Sequence, residues 1–376
     1  MIIGIDASRA NKKIKTGVEW YAYHLIQTLK TIDKKNRYFL YTNKKLSGGL
    51  EKCPDNFEEK ILSWPPKYLW TQIRLSWEMK FGKNKPDVLF VPAHTIPIFH
   101  PKNSIVTVHD VGFARFPKLY NWMDKLYHNW IMKFIKKHAK KIITISKFSK
   151  QEIIELYNIE PEKIAIIYNG FNQMAYRPVE KASTIKKVLQ KYQLTKPFFL
   201  NIARLEYKKN ILGLIKAFKI FQGQFDPDKK YQLVLAGGGG QGYVDILQEI
   251  EKQNLKDSII ILGWVNEADL PKLLNASTAF VFPSFYEGFG IPILEAMSCG
   301  TPVITSNVAS LPEVAGDAAL LIDPYDSEKI AQAMNKIITD EDLCNELTRK
   351  GFKQIKKFSW QRCAREVLNI LEKTLQ

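Results

Sequence analysis

The chain has 376 residues, 45% hydrophobic and 25% charged, which is typical of a globular protein long enough for two ordinary domains. No apolar run approaches the roughly 18 residues needed to span a bilayer, and Asp6 and Arg9 interrupt the apolar start, so no secretory leader is expected. The four cysteines lack C-x2-C spacing, which argues against structural zinc and a disulfide framework. We therefore expect a cytoplasmic protein.

The net charge of +17 is unevenly distributed. Residues 1–175 carry 29 Lys and Arg against 15 Asp and Glu, whereas residues 176–376 carry 26 against 23. A basic half indicates an anionic partner on one side: nucleic acid, an anionic membrane or a phosphorylated acceptor. Plain solubility is the alternative explanation of the charge.

The first half alternates predicted strands and helices. Strands are predicted at residues 2–5, 38–42, 88–91, 105–109, 142–146 and 164–168, and helices at 18–29, 64–83 and 148–157. Within the helix predicted at 64–83, the part after the Pro65-Pro66 break carries one apolar stripe, formed by Leu69, Ile73, Trp77 and Phe81. The polar stretch up to Thr184 is predicted to be a linker.

Two residues of this half follow strands where α/β proteins collect their sites. Gly17 lies in the loop after the first strand and would let a ligand approach the backbone closely. His109 is predicted at the tip of strand 105–109, placed for ligand contact. An ordinary turn glycine and a buried strand-end histidine are the alternatives.

The segment Phe113–Lys141 interleaves aromatic side chains with lysines on a predicted helix. Such a pattern suits an anionic membrane interface, and it equally fits core packing with a solvated basic face. We predict salt-sensitive binding to anionic lipid, with the following principal contributors: Lys133, Lys136, Lys137, Lys140 and Lys141.

The second half shows the same alternation. Strands are predicted at 198–202, 231–236, 259–262, 279–282, 303–305 and 320–322, and a helix in the terminal segment after Phe358. Arg204 and Lys209 follow the first of these strands and suit a diphosphate, although surface cations are an equal explanation. The glycine run 237–240 lacks a following Gly-Lys-Ser/Thr, so it is interpreted as a tight turn.

The segment FVFPSFYEGFGIPILEAMSCGTPVI, residues 280–304, predicts a strand, a glycine loop and a helix that Pro292 opens and Gly300 ends. The backbone N–H groups of Phe289, Gly290 and Ile291 at the helix start favour an anion. Glu287 and Glu295 flank this helix start, and carboxylates accept hydrogen bonds from sugar hydroxyls. The pattern indicates a phosphate-bearing polyhydroxy ligand. Two solvated glutamates on a structural turn are the alternative.

This segment closely resembles the Glu-x7-Glu signature of the retaining glycosyltransferases of family 4. The resemblance covers almost the whole chain and implies the GT-B architecture, two Rossmann-like αβα domains with a cleft between them. It implies an acceptor-binding domain at residues 1–178 and a nucleotide-sugar-binding domain at 179–355. The helix at 356–376 is expected to cross back to the first domain.

The resemblance also implies residue roles. Glu287 would hold the transferred sugar, Glu295 the ribose, and His109 the sugar or the acceptor. The implied catalytic residues are Glu287, His109, Arg204 and Lys209, and the implied donor contacts are Gly17, Arg204, Lys209, Trp264, Val265, Glu287, Gly288, Phe289, Gly290, Ile291 and Glu295. Trp264 could instead fill the core, Ala203 replaces the usual glycine, and Lys208 beside Lys209 leaves two registers open.

The expected activity is transfer of a hexose, first of all mannose from GDP-mannose, to a saccharide acceptor, with a polyprenyl-diphosphate-linked glycan as the favoured class. UDP-sugars are the alternative donors. No metal and no cofactor besides the donor substrate are expected. A nucleotide-sugar epimerase would need an acid/base set that the sequence does not show, and a nucleic-acid-binding protein would need a recognisable reading motif.

Overall fold

A computed structural model of the chain describes residues 1–65, 69–119 and 121–375. The chain forms two compact units: Met1–Gly170 with Ser359–Gln376, and Phe171–Phe358. The chain therefore changes unit after residues 170 and 358, whereas the sequence placed the boundaries after 178 and 355. Pro66, in the predicted Pro65-Pro66 break, lies outside the described residues.

The first unit is built on a parallel sheet of seven strands in the order β3-β2-β1-β4-β5-β6-β7. Its strands are β1 (Ile2–Asp6), β2 (Arg37–Thr42), β3 (Phe57–Ile61), β4 (Val88–Val91), β5 (Ser104–Thr107), β6 (Lys141–Thr144) and β7 (Ile164–Ile166). The strand order reverses at β1 and β4, because the chain returns from one edge of the sheet to its middle. Side chains at such a switch point are placed for ligand contact.

Helices cover both faces of this sheet. They are α1 (Gly17–Ile32), α2 (Ser76–Phe81, preceded by a π-helical turn Thr71–Leu75), α3 (Gly112–Arg115), α4 (Trp122–His138), α5 (Lys147–Tyr157) and α14 (Trp360–Lys373). Side chains of α2, α4 and α5 share one core cluster with the strands. Helix α14 packs on α1, where Trp360 stacks on His24 with ring centroids 5.1 Å apart. The carboxyl-terminal helix thus belongs to the first unit.

The second unit has a parallel six-stranded sheet in the order β10-β9-β8-β11-β12-β13. Its strands are β8 (Phe198–Ile202), β9 (Gln232–Ala236), β10 (Ile259–Gly263), β11 (Ala279–Phe282), β12 (Val303–Ser306) and β13 (Leu320–Ile322). Its helices are α6 (Ala182–Lys191), α7 (Ile211–Gln224), α8 (Tyr243–Lys252), α9 (Leu270–Ala276), α10 (Ile291–Ser298), α11 (Leu311–Ala315), α12 (Ser327–Thr339) and α13 (Glu341–Gln354). One-turn 3₁₀ segments lie at Pro117–Leu119, Pro161–Lys163, Tyr207–Lys209 and Ile355–Lys357.

Several predicted elements are corrected by the structure. β3 was missed, because its burial pattern gives only one fully buried side chain, Phe57. The predicted strand 142–146 ends at Thr144, because Ser146 caps α5 by accepting a hydrogen bond from the Ser149 amide. The segment Phe113–Lys141 is split by the Pro117–Leu119 turn rather than forming one helix.

The predicted linker ends earlier than expected, and its residues 171–181 belong to the second unit, to which two of them are anchored. The carbonyl of Tyr176, a buried residue, accepts a hydrogen bond from the Ser298 hydroxyl at 2.6 Å. The amide of Val179 donates to the side chain of Asn275 at 2.8 Å. Thr184 lies inside α6.

The buried face of α14 allows a stability test. Leu371 is fully buried, so Leu371→Ala is expected to lower the free energy of unfolding by about 2–5 kcal/mol, because the cavity adds to the lost transfer free energy. Urea unfolding followed by circular dichroism measures the change. Asn369→Ala, an exposed position on the same helix, is the matched control and should alter stability little. A Leu371→Ala protein as stable as the control would show that this helix end does not pack as described.

Candidate active site

Two loops of the second unit meet through an ion pair. β8 and β11 are parallel neighbours, so the loops after them leave the same edge of the sheet. The Nζ atom of Lys209 lies 2.5 Å from Oε1 of Glu287, and these side chains are only 16% and 12% exposed. The carbonyl of Lys208 accepts a hydrogen bond from the Phe285 amide at 3.0 Å. Of the two adjacent lysines, Lys209 therefore directs its amine to the predicted sugar-binding glutamate.

Hydrogen bonds from Ser310 hold the loop that carries Glu287. The buried hydroxyl of Ser310 donates to the carbonyls of Glu287 at 2.9 Å and of Phe289 at 2.8 Å. Gly290 follows with a φ of +112°, a conformation that favours glycine. Helix α10 then begins at Ile291, one residue before the predicted Pro292. The first amides of a helix have no partners within it, so this helix start remains a predicted anion site.

Arg204, the other predicted phosphate-binding cation, has a different environment. Its side chain is exposed, and its Nε lies 3.8 Å from the carboxylate of Glu206. The glycine run braces the loop, because the Leu205 amide donates to the Gly238 carbonyl and the Gly240 amide donates to the Leu205 carbonyl, both at 2.9 Å. The glycines thus form a turn that supports the arginine loop, in agreement with their predicted role.

The two signature glutamates differ in their surroundings. Glu295, inside α10, is partly buried beside the Tyr176 side chain. Burial raises the pKa of the Glu295 carboxyl to about 8, against the lowering effect of a hydrogen bond from the Tyr176 hydroxyl; Glu267 raises it further. Glu295 is therefore largely protonated at neutral pH in this structure, whereas Glu287 is paired with a cation.

The predicted nucleobase site lies at the end of β10. Trp264 is 70% exposed, which excludes the alternative that it fills the core, whereas Val265 is buried. Gly263 precedes them with a φ of +62°, and its carbonyl accepts a hydrogen bond from the Gly237 amide at 2.8 Å. An exposed indole on a backbone-anchored turn is placed for stacking on a planar ligand.

In the first unit, His109 lies deeper than predicted. β5 ends at Thr107, two residues earlier, and the imidazole is only 4% exposed. Its Nε2 lies 3.2 Å from the Pro92 carbonyl, and the ring meets Tyr21 edge-on at 4.7 Å. The His94 ring lies 5.2 Å away and is partly exposed. Burial lowers the pKa of both imidazoles, that of His94 to about 3, so both are neutral at pH 7.

Gly17 is the first residue of α1 rather than part of the preceding loop. Among the residues that the structure describes, no atom outside its chain neighbours and its own helix backbone lies within 4 Å of the position that a Cβ would occupy, so this backbone is open to a ligand. Beside it, the carboxylate of Glu19 lies 2.8 Å from Lys12 and 3.5 Å from Arg9. Burial raises the pKa of Glu19, but Lys12 and Thr16 outweigh that effect and lower it to about 2.

One sequence feature with metal-binding spacing has a structural role. Asp226 and Asp228 form an Asp-x-Asp pair in the turn between α7 and β9, at the opposite edge of the sheet from Glu287. The carboxylate of Asp226 accepts hydrogen bonds from the amides of Lys230 and Tyr231 at 2.9 and 3.0 Å. Asp228 pairs with Lys230 at 3.1 Å. This pair therefore stabilises a turn.

Sequence reasoning missed three residues that contact candidate residues: Ser310 and Tyr176 in the second unit, and His94 in the first. A signal for Ser310 exists, because serine before Leu-Pro-Glu marks a helix start. His94 follows a predicted strand, which is a weaker signal of the same kind. No sequence signal marks Tyr176, because its contact with Glu295 depends on the path that residues 171–181 take within the second unit.

Two family models match the chain. The model described as Glycosyltransferase Family 4 matches residues 15–173, and the model described as Glycosyl transferases group 1 matches residues 184–354. The chain is 37% identical to O-antigen chain mannosyltransferase B of Escherichia coli, over 71% of this chain and 70% of that protein. It is 30% identical to O-antigen chain mannosyltransferase RfbU of Salmonella typhimurium, over 73% and 70%.

Solved structures share the fold. Sucrose-phosphate synthase from Thermosynechococcus elongatus aligns with a TM-score of 0.77 at 19% identity, covering 99% of this chain and 98% of that one. WaaG, a glycosyltransferase involved in lipopolysaccharide biosynthesis, aligns with a TM-score of 0.74 at 15% identity, covering 99% of both chains.

The raised pKa of Glu295 has a consequence for stability. An unfolded glutamate loses its proton near pH 4.5, whereas folded Glu295 keeps it to about pH 8. The folded state then binds one more proton, so the free energy of unfolding is expected to fall as pH rises from about 5 to 8. Glu295→Gln, a neutral isostere, should flatten this dependence in urea unfolding. Asp257→Asn, at an exposed acid, should leave it unchanged; an equally steep fall in Glu295→Gln would disprove the assignment.

Proposed function

Because this chain belongs to glycosyltransferase family 4 and is a glycosyltransferase with the GT-B fold, we propose that it transfers mannose from GDP-mannose to a saccharide acceptor with retention of configuration. The observation that carries the proposal is the contact of Lys209 with Glu287 at the start of α10. It combines a sugar-binding carboxylate with a phosphate-binding cation. The relatives named mannosyltransferases support the choice of sugar.

The residues of the second unit provide the chemistry of donor binding. Arg204 and Lys209 would neutralise the diphosphate, whose negative charge grows as the glycosidic bond breaks, and the amides that open α10 would add to this. These cations take the charge-neutralising role of a metal, and the reaction is proposed to be metal-independent. Glu287 would hold hydroxyls of the transferred sugar and Glu295 those of the ribose.

The ion pair suggests how the donor enters. Lys209 has to share its ammonium group between Glu287 and the incoming phosphate, and a mostly buried charge that loses its partner is costly. A phosphate arriving beside the amine compensates that charge while sugar hydroxyls reach the carboxylate. The leaving phosphate would then help to deprotonate the acceptor hydroxyl on the same face, which retains the configuration.

The acceptor is proposed to be a lipid-linked glycan at the cytoplasmic face of a membrane, used in cell-surface polysaccharide synthesis. The basic first half supports a phosphorylated, membrane-bound acceptor. His109 is its proposed contact, and Gly17 is proposed to contact both the acceptor and the donor diphosphate. In the part of the chain that the structure describes, no helix is long and apolar enough to cross a bilayer. Peripheral association with anionic lipid completes the proposal.

Glu287 provides the first test. Glu287→Ala and Glu287→Gln are expected to lower the transfer rate at least ~100-fold, because two charged hydrogen bonds of about 1.5 kcal/mol each are lost. Release of the nucleotide from GDP-mannose in the presence of a mannoside acceptor measures the rate. Asp257→Ala, an exposed acid of the same unit, is the control. If a folded Glu287 variant kept more than half of the wild-type rate, Glu287 would not be a sugar ligand.

The donor base is tested by calorimetry. GDP is expected to bind more tightly than UDP, and Arg204→Ala should weaken GDP binding by roughly tenfold, since a cation–phosphate hydrogen bond contributes about 1.5 kcal/mol. A chelator should leave both binding and transfer unchanged. Tighter binding of UDP would replace GDP-mannose by a UDP-sugar, and activity that requires added magnesium would contradict the metal-free reaction.

A further inference from the structure

An apolar stripe on the first unit faces outward. Ile73, Trp77 and Phe81 recur every four residues along the π-turn and α2, and Trp77 is 61% exposed. The opposite side of the same helix supplies Leu75 and Met79 to the core. The helix is therefore apolar on two sides, and the core uses only one. The sequence predicted this stripe, but only the structure shows that it is the solvent-facing side.

The stripe continues across the loop between β4 and β5. Trp77 and Phe81 pack together with ring centroids 4.5 Å apart. The Nζ of Lys80 lies 5.2 Å from the centroid of the Phe81 ring and 4.0 Å from that of Phe99, and the Phe99 amide donates to the Ser76 hydroxyl at 2.8 Å. Phe99 is itself exposed. Lys80 thus contacts aromatic rings of both the helix and the loop.

The surface extends to α4, which lies on the same face of the sheet as α2. His100, next to Phe99, meets the Phe134 ring at 6.0 Å, and Phe134 stacks on Trp130 at 5.5 Å. Trp122 and Trp130 are exposed and eight residues apart, hence on one side of α4. We call the outer sides of α2 and α4, together with the β4–β5 loop that carries Phe99 and His100, the aromatic surface.

The charge around the aromatic surface is positive. Residues 70–141 carry 13 lysines and arginines against four aspartates and glutamates. Lys133 and Lys137 lie on the Trp122 side of α4 at helical spacing and are exposed, and Lys83 and Lys85 follow α2 and are exposed. Exposed aromatic rings that alternate with cations are the pattern of proteins that rest on anionic bilayers.

We propose that the aromatic surface docks on an anionic lipid bilayer through both helices, with Trp77, Phe81 and Phe99 entering the headgroup region. The inference rests on the proposed membrane-bound acceptor and adds the surface that faces the membrane. It differs from the sequence prediction, which assigned the contact to the segment Phe113–Lys141 alone. A bilayer fits better than a peptide, because the apolar side chains stand out from two helices with lysines between them.

The test compares vesicles of phosphatidylcholine with vesicles that also contain phosphatidylglycerol, by co-sedimentation of the whole protein. Trp77→Ser/Phe81→Ser is expected to weaken binding to the anionic vesicles at least ~tenfold, because two large apolar side chains leave the interface. Phe99→Ser should weaken it in the same direction. Replacing Lys133, Lys136, Lys137, Lys140 and Lys141 by glutamine should remove the preference for anionic lipid.

A matched control exists in the second unit, where Val244 on α8 is 64% exposed and Leu247 is also exposed. Val244→Ser/Leu247→Ser should bind vesicles like the wild type. Unchanged binding of Trp77→Ser/Phe81→Ser and of Phe99→Ser, or an equal loss in the control, would overturn the proposal. Dimerisation that the Trp77 variant abolishes, without vesicle binding, would assign the surface to a second copy and also overturn it.

A second readout separates this proposal from the proposed function. Transfer from GDP-mannose to a soluble mannoside should proceed at the wild-type rate in Trp77→Ser/Phe81→Ser, since neither residue belongs to the candidate site. A loss of soluble transfer equal to the loss of vesicle binding would show general damage and overturn the docking role. A wild-type protein that binds anionic vesicles but transfers from no nucleotide sugar would refute the proposed function and leave the docking surface standing.

Discussion

The candidate donor site depends on the ion pair between Lys209 and Glu287. These residues are 78 positions apart, and they meet because β8 and β11 are parallel neighbours whose following loops leave the same edge. An antiparallel arrangement would send the two loops to opposite edges of the sheet. The hydroxyl of Ser310 and the left-handed Gly290 then fix the loop between strand and helix. The sheet order brings the two loops together, and the local geometry of the second loop holds Glu287 in position.

Two glutamates eight residues apart acquire different chemical characters from their surroundings. Glu287 forms an ion pair with Lys209 just before the start of α10. Glu295 lies about one turn after the start of α10, beside Tyr176 and Glu267, where burial raises its pKa and so favours the protonated form. A ligand that approaches Glu295 with hydroxyl donors would favour its ionised form again. If Glu295 binds the donor as proposed, proton release is expected to accompany donor binding.

Much of the fold was predictable because parallel strands buried on both faces form continuous apolar runs. The strands Val88–Val91, Phe198–Ile202, Ala279–Phe282 and Leu320–Ile322 were predicted with their observed bounds. The signature around Glu287 was predictable for a related reason, since glycine and proline mark the loop and the helix start. β3 was not predictable, because an edge strand with few buried side chains has no such run.

The sequence by itself determined the two-unit α/β fold, the family and the loops that carry the candidate residues, because these follow from local periodicity and short motifs. Only the tertiary structure decided which groups meet and which side of a helix is buried. The sheet order determines that Lys209 pairs with Glu287. The path of residues 171–181, which brings Tyr176 to α10, determines that Glu295 is partly buried. The outward side of α2 was hidden for a physical reason: both sides of that helix are apolar, and periodicity alone cannot tell which one the core takes.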